Sequence, residues 1–178
     1  MPQNLYEWLP AQIAKGGNIA ELAIAFVDEN LKKTNTYMNA HGLMHFDAHF
    51  NNILTDGKLL YFTDFGLALS SHFELTTAEI EFLKHHQHYD DAYASLNLLL
   101  CIFATIFKKD QWEIRLHEYI TDEPRELSSA IVSIIKQQTP IALIMDAFME
   151  KLRKESKSTL YPAIQLEKLF KQRQINRT

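Results

Sequence analysis

The stretch that most restricts the fold is residues 41–66, which read HGLMHFDAHFNNILTDGKLLYFTDFG. Within it, two apolar and β-prone runs, Asn52–Thr55 and Lys58–Thr63, are separated only by Asp56-Gly57. That pair tolerates the two positive φ angles of a type I′ turn, so we predict a two-residue hairpin loop. The tight turn would pair the two strands in register and bring their outer ends close together.

Three polar side chains stand at or near those outer ends. Asp47 lies in the loop before the first strand, Asn52 opens that strand, and Asp64 follows the second strand. Carboxylate and amide oxygens suit Mg²⁺, which takes a few protein oxygens and completes its shell with water and substrate phosphates. We therefore predict Asn52 and Asp64 as metal ligands, which leaves Asp47 for another role.

The spacing of these residues resembles a known family. His45-x-Asp47-x-x-x-x-Asn52, followed by Asp64-Phe65-Gly66, is similar to the catalytic loop and metal-binding triplet of the protein-kinase-like superfamily. By this resemblance Asp47 is the catalytic base that accepts the proton of a substrate hydroxyl, while Asn52 and Asp64 hold the Mg²⁺ ions that bridge the ATP phosphates. The resemblance thus implies Mg²⁺ and ATP as cofactors and an unknown hydroxyl compound as phosphate acceptor.

Two positions indicate a branch of the superfamily. Phe46 stands where the resembled protein kinases carry Arg, and His49 stands where Ser/Thr kinases carry Lys. A histidine there is similar to the aminoglycoside phosphotransferase and choline-kinase branch, and it implies that His49 is a second active-site residue. Because no Ala-Pro-Glu triplet follows Gly66 either, the sequence favours an atypical or small-molecule kinase over a regulated protein kinase.

The resemblance implies a mainly α fold with one small β-hairpin, the C-terminal lobe of a kinase-like fold. It forms a single domain over residues 1–178, with hinge-following helices in 1–40, catalytic and metal-binding loops in 41–66, and a helical bundle with a basic C-terminal helix in 67–178. Nothing before residue 41 resembles a glycine-rich phosphate loop or a Lys–Glu pair, so we expect the N-lobe to be absent.

Two functions from different classes follow. The first is an ATP- and Mg²⁺-dependent phosphotransferase lobe, incomplete unless a partner chain or self-association supplies an N-lobe. The alternative is a non-catalytic kinase-like module for binding or scaffolding. In either case, the surface that would meet an N-lobe should expose apolar residues.

Helix signals cover most of the remaining chain. We predict a short helix over Asn4–Leu9 that ends at Pro10, and a long helix that is capped by Asn18 and ends at Gly42. Thr76 begins a capping box for a helix through His86. Further helices are predicted over Asp90–Phe107, Asp110–Ile120, Pro124–Lys136, Pro140–Glu155 and Pro162–Arg173. By the resemblance, Asp90 or Asp91 hydrogen-bonds the backbone of the catalytic loop.

Apolar runs and the cysteine content indicate the cellular location of the protein. The longest apolar run, Leu98–Phe107, is too short to cross a bilayer, and no basic-then-apolar signal begins at Met1. Cys101 is the only cysteine and lies in this run, so we expect a buried, inert thiol and no intrachain disulfide. A cytoplasmic protein with no membrane partner is the resulting expectation.

The charge distribution along the chain and a cluster of three histidines each allow more than one interpretation. Residues 1–150 hold ten basic and twenty acidic side chains, whereas 151–178 hold eight basic and two acidic ones. The acidic body argues against nucleic acid as the main partner, and the basic tail is interpreted as a solvated helix face. His85, His86 and His88 cluster near the C-terminal end of a predicted helix. We expect solvated imidazoles there, because they interact favourably with the helix dipole, and a metal site is the alternative.

Overall fold

The computed structural model describes residues 1–107, 127–156 and 158–175. Within these residues the chain forms six α-helices and five short strands, so the predicted class of mainly α with a small antiparallel β component is confirmed. In chain order the elements are β1 (Gln3–Asn4), α1 (Leu5–Ile13), α2 (Gly17–Ala40), β2 (Leu43–Met44), β3 (Ile53–Thr55), β4 (Leu60–Phe62), β5 (Leu69–Ser70), α3 (Thr77–His85), α4 (Tyr89–Phe107), α5 (Ser129–Lys154) and α6 (Ala163–Ile175). The helix predicted over 110–120, and the first residues of that predicted over 124–136, lie outside the described residues.

The hairpin forms, but its turn differs from the predicted one. Thr55 pairs with Leu60, so four residues, 56–59, form the loop, and the prediction of a two-residue type I′ turn is wrong. Within this loop only Gly57 has a positive φ, whereas a type I′ turn needs two such residues. The Asp56 carboxylate accepts hydrogen bonds from the amides of Lys58 and Leu59 and so stabilises the wider turn. A third strand, β1, also pairs antiparallel with β3.

A second strand pair joins the two ends of the 41–66 stretch. β2 and β5 are antiparallel, and the Ser71 amide donates to the Gly42 carbonyl at 2.7 Å. Gly42 ends α2 as predicted and has a φ of +65°, and a Cβ at this position would overlap the side chain of Ser71. A residue with a side chain is therefore excluded twice, by backbone conformation and by space.

Two helix boundaries differ from the sequence predictions. α1 continues through Pro10 to Ile13, because Leu5, Leu9 and Ile13 lie on one face and all three are buried. Their burial offsets the hydrogen bond that proline cannot donate. α2 begins at Gly17 after Gly16, so Asn18 lies within the helix and does not cap it.

The core lies where α4 packs against α5, and α1 and α2 also pack against α4. α4 runs over Tyr89–Phe107, close to the predicted range. The predicted helix boundary at Pro140 is wrong, because α5 is continuous over Ser129–Lys154. Buried residues occur on both sides of Pro140, among them Ile135, Ile141 and Met145, so packing along the whole face keeps the helix in one piece.

The apolar run that contains Cys101 forms part of this core. Cys101 is buried, and desolvation raises the pKa of its thiol to about 12, as expected for an inert side chain. In the described part of the chain, no helix has the length and apolar character needed to cross a bilayer.

Gly42 offers a test of the strand pair at the base of the 41–66 stretch. We expect Gly42→Ala to lower the free energy of unfolding by more than the roughly 1–2 kcal/mol that a left-handed backbone costs an alanine. The added methyl group also collides with Ser71. The matched control is Gly17→Ala, where φ is +53° but the space is open. Urea denaturation measures both losses, and equal losses would contradict the packing argument.

Candidate functional site

The loop that carries Asp47 is anchored from below by a buried carboxylate. Asp90, at the start of α4, accepts hydrogen bonds from the backbone amides of His45 at 2.7 Å and Phe46 at 2.9 Å. Burial raises the pKa of Asp90, and the two amide hydrogen bonds lower it. Of the two acids that the resemblance offered for this contact, Asp90 is the one that makes it.

His45 connects this loop to the end of the hairpin. Its ring is fully buried, and its Nε2 lies 2.9 Å from the carbonyl oxygen of Thr63. Because a carbonyl only accepts, Nε2 carries the proton, which leaves Nδ1 to accept from the Asp47 amide at 3.3 Å. One neutral imidazole therefore holds Asp47 in place relative to the residue before Asp64.

Two residues around the site have left-handed backbones. Among the described residues, Phe46, with φ of +61°, and Asp64, with φ of +58°, are the non-glycine residues with positive φ. Such conformations cost of order 1–3 kcal/mol and persist where the surroundings enforce them. For Phe46, the hydrogen bond from its amide to Asp90 supplies part of that enforcement.

Asp47 and Asn52 are joined directly. The Asn52 side-chain Nδ2 donates to both the carbonyl and the carboxylate Oδ2 of Asp47, each at 3.0 Å. Because the amide nitrogen is used in this way, its orientation is fixed and Oδ1 is left for a ligand. His49 Nε2 lies 3.7 Å from Asp47 Oδ1, too long for a hydrogen bond but close enough for charge attraction when the imidazole is protonated.

Asp64 directly follows Thr63, the residue of the second strand end that meets Asn52. The amide and hydroxyl of Thr63 both donate to the Asn52 carbonyl at 2.9 Å, so the predicted approach of the two strand ends is confirmed. Asp64 is exposed, and its Oδ1 lies over Gly66, 3.3 Å from where a Cβ would stand. An oriented amide oxygen and an exposed carboxylate are a donor set that fits Mg²⁺.

Aromatic rings form one side of the site, which the sequence analysis did not identify. Phe46 packs against Phe82 and Tyr89, with ring centroids 5.4 and 5.2 Å apart, and Tyr89 packs against Tyr93. Burial raises the pKa of the Tyr93 hydroxyl, and the negative charge of Asp47 raises it further. Both effects favour the protonated hydroxyl. The i, i+4 spacing of Tyr89 and Tyr93 on a helix that begins at the loop anchor was the available signal.

Asp91 lies in a different environment from Asp90. Desolvation raises its pKa to about 6, while the nearby cations Arg173 and Lys32 act in the opposite direction. Arg173 of α6 donates to Gln138 Oε1 of α5 at 3.0 Å, and Lys32 of α2 donates to Gln137 Oε1 of α5 at 3.1 Å. These contacts join helices behind the site, so Asp91 belongs to the helix packing and not to the loop.

The histidine cluster does not form a metal centre. Within the described residues, no group of three or more His, Cys, Asp or Glu side chains is placed to hold a metal ion. His86 stacks between Phe82 and Tyr161, at 3.9 and 4.5 Å, and His88 stacks on Phe170 at 4.6 Å. The expectation of solvated imidazoles is therefore wrong for His86 and His88, whose rings are half-buried. Burial lowers the pKa of both imidazoles.

The geometry described above is the available guide to function. Comparisons with models of protein families, with curated proteins and with solved structures found no match to this chain. The conclusions that follow therefore depend on the site itself.

The Asp90 anchor can be tested directly. We expect Asp90→Ala to lower the free energy of unfolding by roughly 2–4 kcal/mol, because two amides lose their acceptor in a buried site. The exchange of the His45 and Phe46 amides with solvent should accelerate in parallel. Asp56→Ala is the matched control, since that carboxylate also accepts two backbone amides but is fully exposed, so water replaces it. A loss for Asp90→Ala no larger than the control would contradict the anchor.

Proposed function

We propose that this chain is the catalytic lobe of an ATP- and Mg²⁺-dependent phosphotransferase that transfers the γ-phosphate to a hydroxyl acceptor. The observation that carries the proposal is the hydrogen bonding of Asn52 to Asp47. These bonds fix the orientation of the Asn52 side chain, whose amide oxygen would hold the metal together with the Asp64 carboxylate, while the Asp47 carboxylate stays a separate group. Positioning and charge neutralisation are the main tasks of a protein in phosphoryl transfer, and this cluster supplies both.

Each member of the cluster has a distinct role in the proposal. Asn52 and Asp64 would hold the metal, which neutralises phosphate charge when bound. Asp47 orients the acceptor hydroxyl and takes its proton, with one carboxylate oxygen fixed by Asn52 and the other open toward His49. His49, when protonated, adds positive charge beside Asp47.

The acceptor and the rest of the nucleotide site are further parts of the proposal. Phe46 and His49 favour a small-molecule acceptor over a regulated protein substrate. The adenine and most phosphate contacts come from an N-lobe in another chain or segment. The exposed apolar side chains of Leu59, Phe65 and Leu67 on the hairpin and the segment after it support a covering partner there.

The rival is a non-catalytic module with the same fold. A binding or scaffold protein does not require Asn52 to orient toward Asp47, or Phe46 and Asp64 to hold left-handed backbones. The retention of these features together favours the enzyme.

Asp64 tests the metal assignment. We expect Asp64→Ala to keep the fold, because its exposed side chain has no hydrogen-bond partner in the described residues, and to abolish Mg²⁺-dependent binding of a fluorescent ATP analogue. Glu7→Ala, an exposed acid on α1, is the control and should bind like wild type. Equal nucleotide binding by wild type and Asp64→Ala would remove Asp64 from the metal site.

Asp47 tests the catalytic assignment. In an assembly that includes a kinase-type N-lobe, we expect Asp47→Asn to keep nucleotide affinity while the rate of phosphoryl transfer falls by about 10²–10⁴-fold, the range of a lost general base. The amide keeps the shape of the side chain but accepts no proton. Transfer at the wild-type rate would rule out this role.

A further inference from the structure

The helix that follows the Asp-Phe-Gly triplet lacks the packing that usually stabilises a helix. Within the part of the chain that the structure describes, no side chain of α3 is buried, and Ile80 and Phe82 are 42% and 43% exposed. A nine-residue helix is marginal in water, and its capping box contributes only part of the stability it needs. An unburied helix with exposed apolar side chains is therefore suited to packing against another surface.

A groove adjoins the C-terminal end of α3. It has a volume of about 720 Å³ and lies between α5 and residues 159–165, with His85 of α3 in its wall. We call it the apolar groove. The side chains that line it and that the argument uses are Leu143, Phe148, Leu160, Tyr161 and Ile164. Leu160 and Ile164 are 90% and 81% exposed, so the groove is open.

α3 and the apolar groove form one continuous surface. The ring of Phe82 stacks on His86, and His86 stacks on Tyr161, which lines the groove. A patch with an exposed apolar helix at one end and an open apolar groove at the other is suited to a contact in which two copies exchange these ends.

The charges at the two ends are complementary. Exposed Glu79 and Glu81 lie on α3, with Glu74 just before it, and the exposed Lys84 in the last turn leaves this segment with an excess of acidic side chains. Lys151 lines the groove, no acidic side chain of the described chain does, and the exposed Arg153 and Lys154 follow on α5, with Lys154 paired to Glu150 at 2.5 Å. An apolar helix with acidic flanks fits an apolar groove with a basic rim.

We propose that a second copy of this chain covers the surface, with α3 of each protomer packed into the apolar groove of the other. A twofold axis satisfies both ends at once, because each protomer presents the acidic helix and the basic groove. The inference goes beyond the proposed phosphotransferase function. Since Phe82 also contacts Phe46 in the catalytic loop, the partner would lie beside the Asp47 loop.

Sedimentation equilibrium of the full chain tests the proposal. Wild type should show a concentration-dependent monomer–dimer equilibrium. Ile164→Glu in the groove and Ile80→Glu on α3 should each raise the dissociation constant by more than about tenfold, because each places a charge in an apolar contact. The matched control is Ile19→Glu on α2, where the native side chain is 51% exposed outside this surface, and its dissociation constant should equal that of wild type.

A charge exchange distinguishes this pairing from nonspecific association. Lys151→Glu and Glu81→Lys should each weaken the dimer, and the double variant should recover most of the lost affinity, because the opposite charges meet again across the interface. Circular dichroism checks that each variant is folded. A monomer at every concentration, a dimer unaffected by Ile164→Glu and Ile80→Glu, or a monomer that instead binds a fatty acid in the groove would each overturn the proposal.

Discussion

The two hydrogen bonds that the Asp90 carboxylate accepts from His45 and Phe46 are the constraint on which the site depends. Asp90 stands on α4, the helix that packs against α5 in the core, so the loop inherits its position from the most buried part of the molecule. His45 then passes this position on, through its ring, to the hairpin end at Thr63 and to the amide of Asp47. Buried and half-buried hydrogen bonds thereby hold a small polar cluster on a helical scaffold.

Local signals with a stereochemical cause were predictable from the sequence. The capping box at Thr76 forms with both of its hydrogen bonds, and Gly42 ends α2 with the positive φ that glycine tolerates. The predictions failed where tertiary burial decides the outcome. Locally, Pro10 indicates the end of a helix and Pro140 the start of one. Both prolines instead lie inside helices whose buried faces continue on either side. The loop at Asp56 failed for another reason, since its side chain stabilises a wider turn than the dipeptide predicts.

The candidate residues of the site could be chosen from the sequence, whereas most of the contacts that hold them could not. The spacing of Asp47, Asn52 and Asp64 selected them as candidates, and strand pairing explains why Asn52 and Thr63, the residue before Asp64, meet. No spacing rule separates Asp90 from Asp91, because the choice depends on how α4 is rotated against the loop. The packing of Phe46 on Phe82 and Tyr89 likewise depends on contacts between residues distant in sequence.

The measurement that tests the account most directly locates the metal by nuclear magnetic resonance, with Mn²⁺ as a paramagnetic substitute for Mg²⁺ in the presence of a non-hydrolysable ATP analogue. The account predicts selective broadening of the amide signals of Asn52, Asp64 and Gly66, with weaker effects at Asp47, and no such effect in Asp64→Ala. Broadening confined to the histidines at 85–88 or to the acidic residues of α3, with Asn52 and Asp64 unaffected, would contradict it.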